Sequence, residues 1–426
     1  MNGNQQITHI PTGDVVYRED LYIRVKPSPE KIQEYAENLE LLPPIEVNQH
    51  NILIDGYHRW IAHRKAQADT VPAIVTETAS ERELERLSWV RNRHGLPPSN
   101  DDKRAFVLRH YDGKNKEALA AEVSVSLRTI ARWTENKDRQ LKEDRDQKIR
   151  EMWLACHTQE EIAEQVGMSQ QTVAEAAKEL PKLDTWQKAV ISAATYAEPD
   201  WSPPLYNIWS FAAKSNKTGH FGNTEQTIVD RLLYMYTQPF DIVVDPFGGG
   251  GSTIDVCKHR LRRYWVSDRL PIVERTDIRQ HDILDGPPPL HKRWQDVSLM
   301  YLDPPYWRQA QGQYSEDDND LANMPLEQFY DVLTGFVTAT ADKMRSGSHI
   351  ALIIQPTQWL ADDRAYPADH VFDLVNLMRA NQKLRYQTRI ICPYQTEQYN
   401  PQQVEWAKAN RQVLTLNREL IVWSVA

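Results

Sequence analysis

Cysteine is nearly absent from this chain. Its 426 residues include three, Cys156, Cys257 and Cys392, scattered without metal-ligand spacing. That excludes a cysteine-built metal centre and fits a reducing cytoplasm. No acids or histidines cluster as ligands either, so no metal is expected. Long apolar stretches and a signal peptide are missing, and mean hydropathy is −0.63. Those absences exclude a membrane protein and membrane partners. Positive charge is also short: 50 Lys and Arg against 59 Asp and Glu, a formal net charge of −9. This does not forbid nucleic acid, because the local field at a cleft decides. It predicts modest, salt-sensitive affinity unless basic residues gather in space. Arg260, Arg262 and Arg263 form one dense cluster, at a helix end where cationic capping is the plain alternative. Apolar residues make up 41%, enough for two to four domains, each with a core.

The most informative stretch is Val297 to Tyr306. An apolar run to Leu302 delivers Asp303-Pro304-Pro305-Tyr306 to a strand end. This arrangement resembles the catalytic motif of DNA amino-methyltransferases, enzymes that methylate an exocyclic base amine. The chemistry suits the residues. An exocyclic amine is a poor nucleophile because its lone pair is delocalised into the ring. Acceptors aimed at its two protons localise that pair and stabilise positive charge on nitrogen. The resemblance gives those acceptors as Asp303 and the Pro304 carbonyl. Pro304 and Pro305 stiffen the backbone and bring no competing N–H, and Tyr306 stacks on the extracted base.

Upstream, Asp241 to Asp245 reads as a short buried strand. Pro246-Phe247-Gly248-Gly249-Gly250-Gly251-Ser252-Thr253 follows, then a helix over about 254–262. Strand, glycine loop and helix open a Rossmann-like unit. The glycines allow tight turning, and a helix start offers N–H groups to an anion. The same resemblance names the ligand as S-adenosylmethionine, whose methionine carboxylate is the only anion available. It implies cofactor contacts at Asp245, Pro246, Phe247, Gly248, Gly249, Gly251 and Thr253. Asp268, ending the next strand, suits ribose hydroxyls, and Asp282 resembles an acid that contacts the adenine amine. Thr224, within Phe221-Gly222-Asn223-Thr224-Glu225-Gln226, resembles a motif beside the methionine end, although Thr224 and Glu225 also suit an ordinary helix cap. A helix over 325–345, a strand over 348–354, a helix over 369–380 and a closing hairpin, 385–392 with 419–425, complete the sheet. The segment between them, Pro393 to Asn417, reads as a loop.

Ser202-Pro203-Pro204-Leu205-Tyr206 imitates a second catalytic motif, but no apolar strand precedes it, so it reads as linker. The aspartate version of the true motif favours adenine N6, whereas Trp307 is reminiscent of cytosine-N4 enzymes; both bases stay open. No insertion is large enough for a target-recognition domain, so sequence choice is weak or delegated to the N-terminal half.

That half differs. Pro43 to Val47, Asn51 to Ile54 and Val71 to Val75 read as strands, and Asp55-Gly56-Tyr57-His58-Arg59 turns into a helix. This resembles the N-terminal domain of ParB-like proteins, in which the matching Gly56, His58 and Arg59 hold nucleotide phosphates. Tyr57-His58 departs from the CTP-using pattern, so the ligand stays open beside a purely structural reading. Arg91 to Gly95 leads into a helix-turn-helix candidate, with Ser126 as N-cap and Arg128, Thr129 and Arg132 facing DNA. The spacing repeats from Thr158 to Leu180, where Gln170 and Gln171 can read base edges.

The expected fold is α/β: a ParB-like α/β domain (1–98), an all-α helix-turn-helix region (99–183) and a Rossmann-like methyltransferase domain (184–426). The expected partner is DNA, with a homodimer open. The setting is cytoplasmic, in a bacterium or on a phage or plasmid. A non-catalytic partition or transcription factor is the alternative from another class.

Overall fold

The computed structural model describes residues 6–21, 27–91, 98–210, 225–310, 312, 315–358, 368–394 and 399–426. The chain divides into two compact units, Met1–Arg145 and Asp146–Ala426.

The first unit carries strands β1 (Ile7–Pro11), β2 (Ile45–Val47), β3 (Leu53–Asp55) and β4 (Thr70–Val75) in the order β1-β4-β2-β3. Helices α1 (Pro29–Ala36), α2 (Tyr57–Lys65) and α3 (Glu81–Arg91) accompany them. Strand β1 is mostly exposed and gives little sequence signal; antiparallel pairing with β4 makes it a strand. Ile45, Val47, Trp60, Val71 and Ala73 form the core between this sheet and α2. Helices α4 (Asn100–His110) and α5 (Lys116–Val123) follow, and α6 (Leu127–Leu154) starts in this unit and ends in the second. Trp89, Val107, Tyr111, Leu119, Val123, Ile130 and Trp133 close a separate helical core.

The second unit continues with α7 (Gln159–Val166), α8 (Gln170–Glu179), α9 (Lys188–Ala194) and α10 (Gln226–Tyr236). Then come β5 (Ile242–Asp245), α11 (Ser252–His259), β6 (Arg263–Asp268), β7 (Arg279–Gln280), β8 (Val297–Leu302), α12 (Leu326–Ala341), β9 (His349–Ile354), α13 (His370–Met378), β10 (Leu384–Pro393), α14 (Pro401–Asn410) and β11 (Asn417–Val425). The strands order as β10-β11-β9-β8-β5-β6-β7, parallel from β9 to β7, with the closing hairpin antiparallel. Alternate side chains serve the two faces. Ile242 and Val244 share one core with Phe329, Leu333 and Leu374 on one face. Val243 meets Ile228, Leu232 and Ile254 on the other. The expected loop from Pro393 to Asn417 is corrected by α14: Asn400 and Gln403 form a capping box, with Pro401 at the helix start.

The three clustered arginines are structural. Arg260 bonds Asp230 (2.6 Å) and the Ala193 carbonyl (2.7 Å); Arg262 bonds the Ala194 carbonyl and Thr237, and both are buried. Arg263 reaches back to the end of α6. There the Trp153, Ala155 and Cys156 carbonyls accept from Arg263 (3.4 Å), Arg279 (2.6 Å) and Arg293. Cations suit that negative helix end.

Candidate functional site

Strand order reverses direction at β5: the chain moves from β5 to β6 on one side and later returns to β8 on the other. A crevice at the carboxyl ends of strands is the ligand position of such sheets. Three carboxylates end three adjacent strands here: Asp245 on β5, Asp268 on β6 and Asp303 just after β8. Asp245 is buried and accepts from Phe247 N–H (2.8 Å) and the Thr253 hydroxyl (2.5 Å). Burial above all, with the negative charges of Asp303 and Asp268, outweighs those two bonds and pushes its carboxyl up to about 7.

The glycine loop is tight. A Cβ on Gly248 would stand 2.8 Å from Val266 Cγ1, and Gly249 and Gly251 are left-handed at φ +47° and +84°. The loop amides largely bond within the protein: Gly248 to Ser267 O (2.7 Å), Gly249 to the Asp268 carboxylate (2.9 Å) and Gly251 to Gly248 O (2.8 Å). Pro246 is buried, and Phe247 packs on the core. Asp282 sits beside Asp268, since His281 N–H bonds the Asp268 carbonyl (3.0 Å), but its carboxylate pairs with Arg269 (3.1 Å) and caps Leu284. Thr224, with Phe221, Gly222 and Asn223, lies outside the described residues, as do Asn92 to Gly95.

On the β8 side, Tyr306 donates to Asp303 Oδ1 (3.2 Å), and Tyr301 approaches Oδ2 (3.5 Å). Burial first, then the Asp303 and Tyr394 charges, push the Tyr306 phenol well above its ordinary range. Pro304 is buried and Pro305 half-buried. Three groups behind this turn are not foreseeable in sequence, although Glu225 reads there as a possible cap; it is the N-cap of α10 but makes no side-chain cap bond. Arg418 on β11 and Glu225 at the start of α10 form a buried ion pair, with the guanidinium 4.7 Å over the Tyr394 ring. Tyr394 donates to Gln355 (2.8 Å). His370, fully buried, bonds Tyr330 (2.9 Å) and Thr357 (2.8 Å), and Thr357 donates to the Trp307 carbonyl (2.9 Å). Burial pushes His370 down to about 4 and keeps it neutral. These partners are tens to hundreds of residues apart in sequence, so no local signal announces them.

The nucleic-acid candidates fall on two helix pairs of matching local geometry. In one, left-handed Ser124 ends α5, and Ser126 accepts from Thr129 N–H (3.2 Å) at the start of α6; Arg128 and Arg132 are exposed. In the other, left-handed Gly167 ends α7 and Ser169 caps α8. Gln170 and Gln171 are exposed, but Gln170 bonds Glu160 (2.5 Å).

In the first unit, Gly56, His58 and Arg59 do meet at the start of α2. Gly56 is left-handed at φ +102°, His58 accepts from Ser28 N–H (3.0 Å), and Arg59 bonds Asp55 (2.7 Å) and the Pro43 and Pro44 carbonyls. Among the described residues, no group of three His, Cys, Asp or Glu could hold a metal ion, and no helix is long and apolar enough to cross a membrane.

Comparison with known proteins gives two family matches. A DNA methylase model matches residues 79–269, and a ParB N-terminal domain model matches residues 1–89. The first spans the glycine loop and Asp268 and stops short of Asp303. It supports a generic S-adenosylmethionine-dependent DNA-methyltransferase activity in a mixed α/β chain. No curated protein matches. Among solved structures, the chain is similar to C-terminally truncated ParB from Caulobacter crescentus complexed with CTP-gamma-S, at 17% identity over 44% of this chain and 83% of that one, TM-score 0.20. It is also similar to TrmN from Thermus thermophilus, at 14% identity, TM-score 0.29, covering 48% of this chain and about half (49%) of that one.

Proposed function

We propose that residues 184–426 methylate an exocyclic amine of a DNA base, adenine N6, and that the preceding regions, 1–98 and 99–183, hold the enzyme on DNA. The observation that carries this reading is the meeting of Asp245, Asp268 and Asp303 at adjacent strand ends around a left-handed glycine loop. The residues fit the cofactor: Gly248 leaves no room for a Cβ beside Val266, and Asp268 stands at the strand end that suits ribose hydroxyls. Asp245, Pro246, Phe247, Gly249, Gly251, Thr253 and Asp282 complete the proposed cofactor wall, and Thr224, outside the described residues, is proposed as a further contact from its motif alone.

When bound, S-adenosylmethionine supplies an electrophilic methyl group. The chain does the rest. Tyr306 stacks on a base drawn from the helix. Asp303 and the Pro304 carbonyl accept the amine protons and orient the nitrogen lone pair. Tyr306 already bonds Asp303 Oδ1 (3.2 Å), and the carboxylate keeps further lone pairs for the amine. Asp303 then stands ready to hold the proton that nitrogen loses. Arg128, Thr129 and Arg132, with Ser126 as cap, contact DNA, and Gln170 and Gln171 offer a second, less basic face. A nucleotide at the start of α2 would meet an Arg59 already bonded to Asp55 and to the Pro43 and Pro44 carbonyls.

Asp303→Ala tests the proposal: methyl transfer to DNA should fall by about a thousandfold or more, while calorimetric cofactor affinity changes less than about threefold. Transfer that persists near the unmutated rate would refute the assignment. Competition between duplex DNA, single-stranded DNA and RNA identifies the substrate class.

A further inference from the structure

Arg275 carries no motif, yet its guanidinium lies against the outer side of the glycine loop. Both edges are engaged. Nε and Nη2 bond Asp277 (2.9 and 3.2 Å), and Nη1 and Nη2 bond Asp255 in the first turn of α11 (3.2 and 3.0 Å). The same two nitrogens also donate to the Gly250 and Gly251 carbonyls (3.2 and 3.5 Å). A Cβ on Gly251 would fall 2.4 Å from Cζ and 2.6 Å from Nη1, so a side chain there would displace the guanidinium, on top of the strain at its φ of +84°.

We propose that Arg275 is a positioning residue that sets cofactor affinity by fixing the orientation of one peptide plane, Gly250–Gly251, through the Gly250 carbonyl. The next plane, Gly251–Ser252, is held by the helix itself, where Asp255 N–H donates to the Gly251 carbonyl (3.2 Å). This inference rests on the reading of the loop as the cofactor site. In a trans peptide the C=O and N–H point in opposite directions. With the Gly250 carbonyl held on the Arg275 side, the Gly251 N–H faces the other way, toward the inside of the loop. The Gly251 N–H bond to Gly248 O (2.8 Å) reports that orientation. Peptide planes between glycines turn easily, because neither residue has a Cβ to oppose left-handed or mirror conformations. Without Arg275 the loop would populate a flipped plane, and binding would have to select the competent fraction.

Charge makes the clamp durable. Two carboxylates, each bidentate, neutralise the guanidinium, and Lys258 shares Asp277 (2.9 Å). Lysine cannot reproduce this: one ammonium cannot span two carboxylates and two carbonyls in one plane.

The test is isothermal calorimetry with S-adenosylhomocysteine and steady-state kinetics on Arg275→Met and Arg275→Lys. Dissociation constant and cofactor KM should rise about tenfold for the first and severalfold for the second. The kcat at saturating cofactor and the KM for DNA should stay within about twofold, a split that general loosening of the fold would not give. Asp277→Asn, which loosens the clamp without removing it, should act in the same direction and more weakly; it stands in if Arg275→Met does not fold. Unchanged cofactor affinity in the variants, with the unmutated protein binding, would overturn the proposal, as would a loss confined to kcat. If the unmutated protein binds no S-adenosylhomocysteine, the cofactor reading itself fails and takes this inference with it.

Discussion

Gly56 and Gly251 are the same local device in two separate units. Each is a left-handed N-cap, at α2 and at α11, and each has a guanidinium close to where a Cβ would stand: Arg59 at 3.1 Å, beyond Ile45 at 2.8 Å, in one, and Arg275 at 2.4 Å in the other. Each guanidinium is tethered by carboxylate, Asp55 in the first unit, Asp255 and Asp277 in the second. The difference lies in what the fold gathers nearby. At α2, Nη1 of Arg59 donates to two carbonyls of the loop before β2, and His58 accepts the N–H of Ser28, the cap of α1. The chemistry there joins neighbouring elements. At α11, carboxylates from three strands converge, and one of them is pushed to about 7. A left-handed glycine before a helix therefore marks a close backbone approach in both places; charged groups collected from separate strands single out one of them as the candidate site.

Breaking the glycines should separate the two most strongly. Gly251→Val should weaken S-adenosylmethionine by roughly a hundredfold or more, through strain at positive φ and collision with Arg275. Gly56→Val, whose Cβ would stand 2.8 Å from Ile45 Cγ2, should instead cost the first unit about 2–4 kcal/mol of stability. Cofactor affinity should then stay within about twofold. Calorimetry and thermal melts read both outcomes, and equal loss of cofactor affinity in the two variants would erase the distinction.

The two helix pairs offer a second comparison, of equal local geometry and unequal charge. Arg128→Ala with Arg132→Ala should weaken DNA about thirtyfold and lower the salt slope by about two. Gln170→Ala with Gln171→Ala should change affinity less than about threefold, since Glu160, Glu161 and Glu164 flank that face. Binding titrations at several salt concentrations check this; a larger effect from the glutamines would move the DNA-reading face to α8.

The smallest effect is a pH profile. Asp245 titrates near 7 when folded, above its ordinary range, so between about pH 4 and 7 the folded state holds the extra proton, and stability from this group falls as pH rises. A cationic sulfonium favours the ionised carboxylate, so S-adenosylmethionine affinity should rise severalfold, up to about tenfold, from pH 6 to pH 8. S-adenosylhomocysteine, without the sulfonium charge, should show a flatter profile, and Asp245→Asn should flatten both. Identical profiles for the two ligands would remove Asp245 from the electrostatics of the site.

Much of this was legible in sequence because local signals were strong. Strands β5, β6, β8 and β9 are largely apolar runs, the first three ending on or next to an acid, and the Asp-Pro-Pro-Tyr turn follows β8, buried along its whole length. Helix α14 was hidden by its composition: Gln402, Gln403, Glu405, Lys408 and Asn410 leave only a thin apolar face, and the Asn400–Gln403 cap was the available clue. The groups behind the site were illegible for a different reason. Arg418 meets Glu225 across 193 positions and His370 meets Tyr330 across 40. Arg275 lies in a turn that reads as ordinary surface until α11 brings Asp255 against it. Periodicity and turn chemistry report on neighbours in sequence; pairing across a sheet does not pass through them.

The most direct measurement is nucleoside mass spectrometry after incubating the full chain with DNA and cofactor carrying an isotopically labelled methyl group. The account predicts label on N6-methyladenine, lost with Asp303→Ala. Label on no nucleic acid, from protein shown by calorimetry to bind the cofactor, would contradict it.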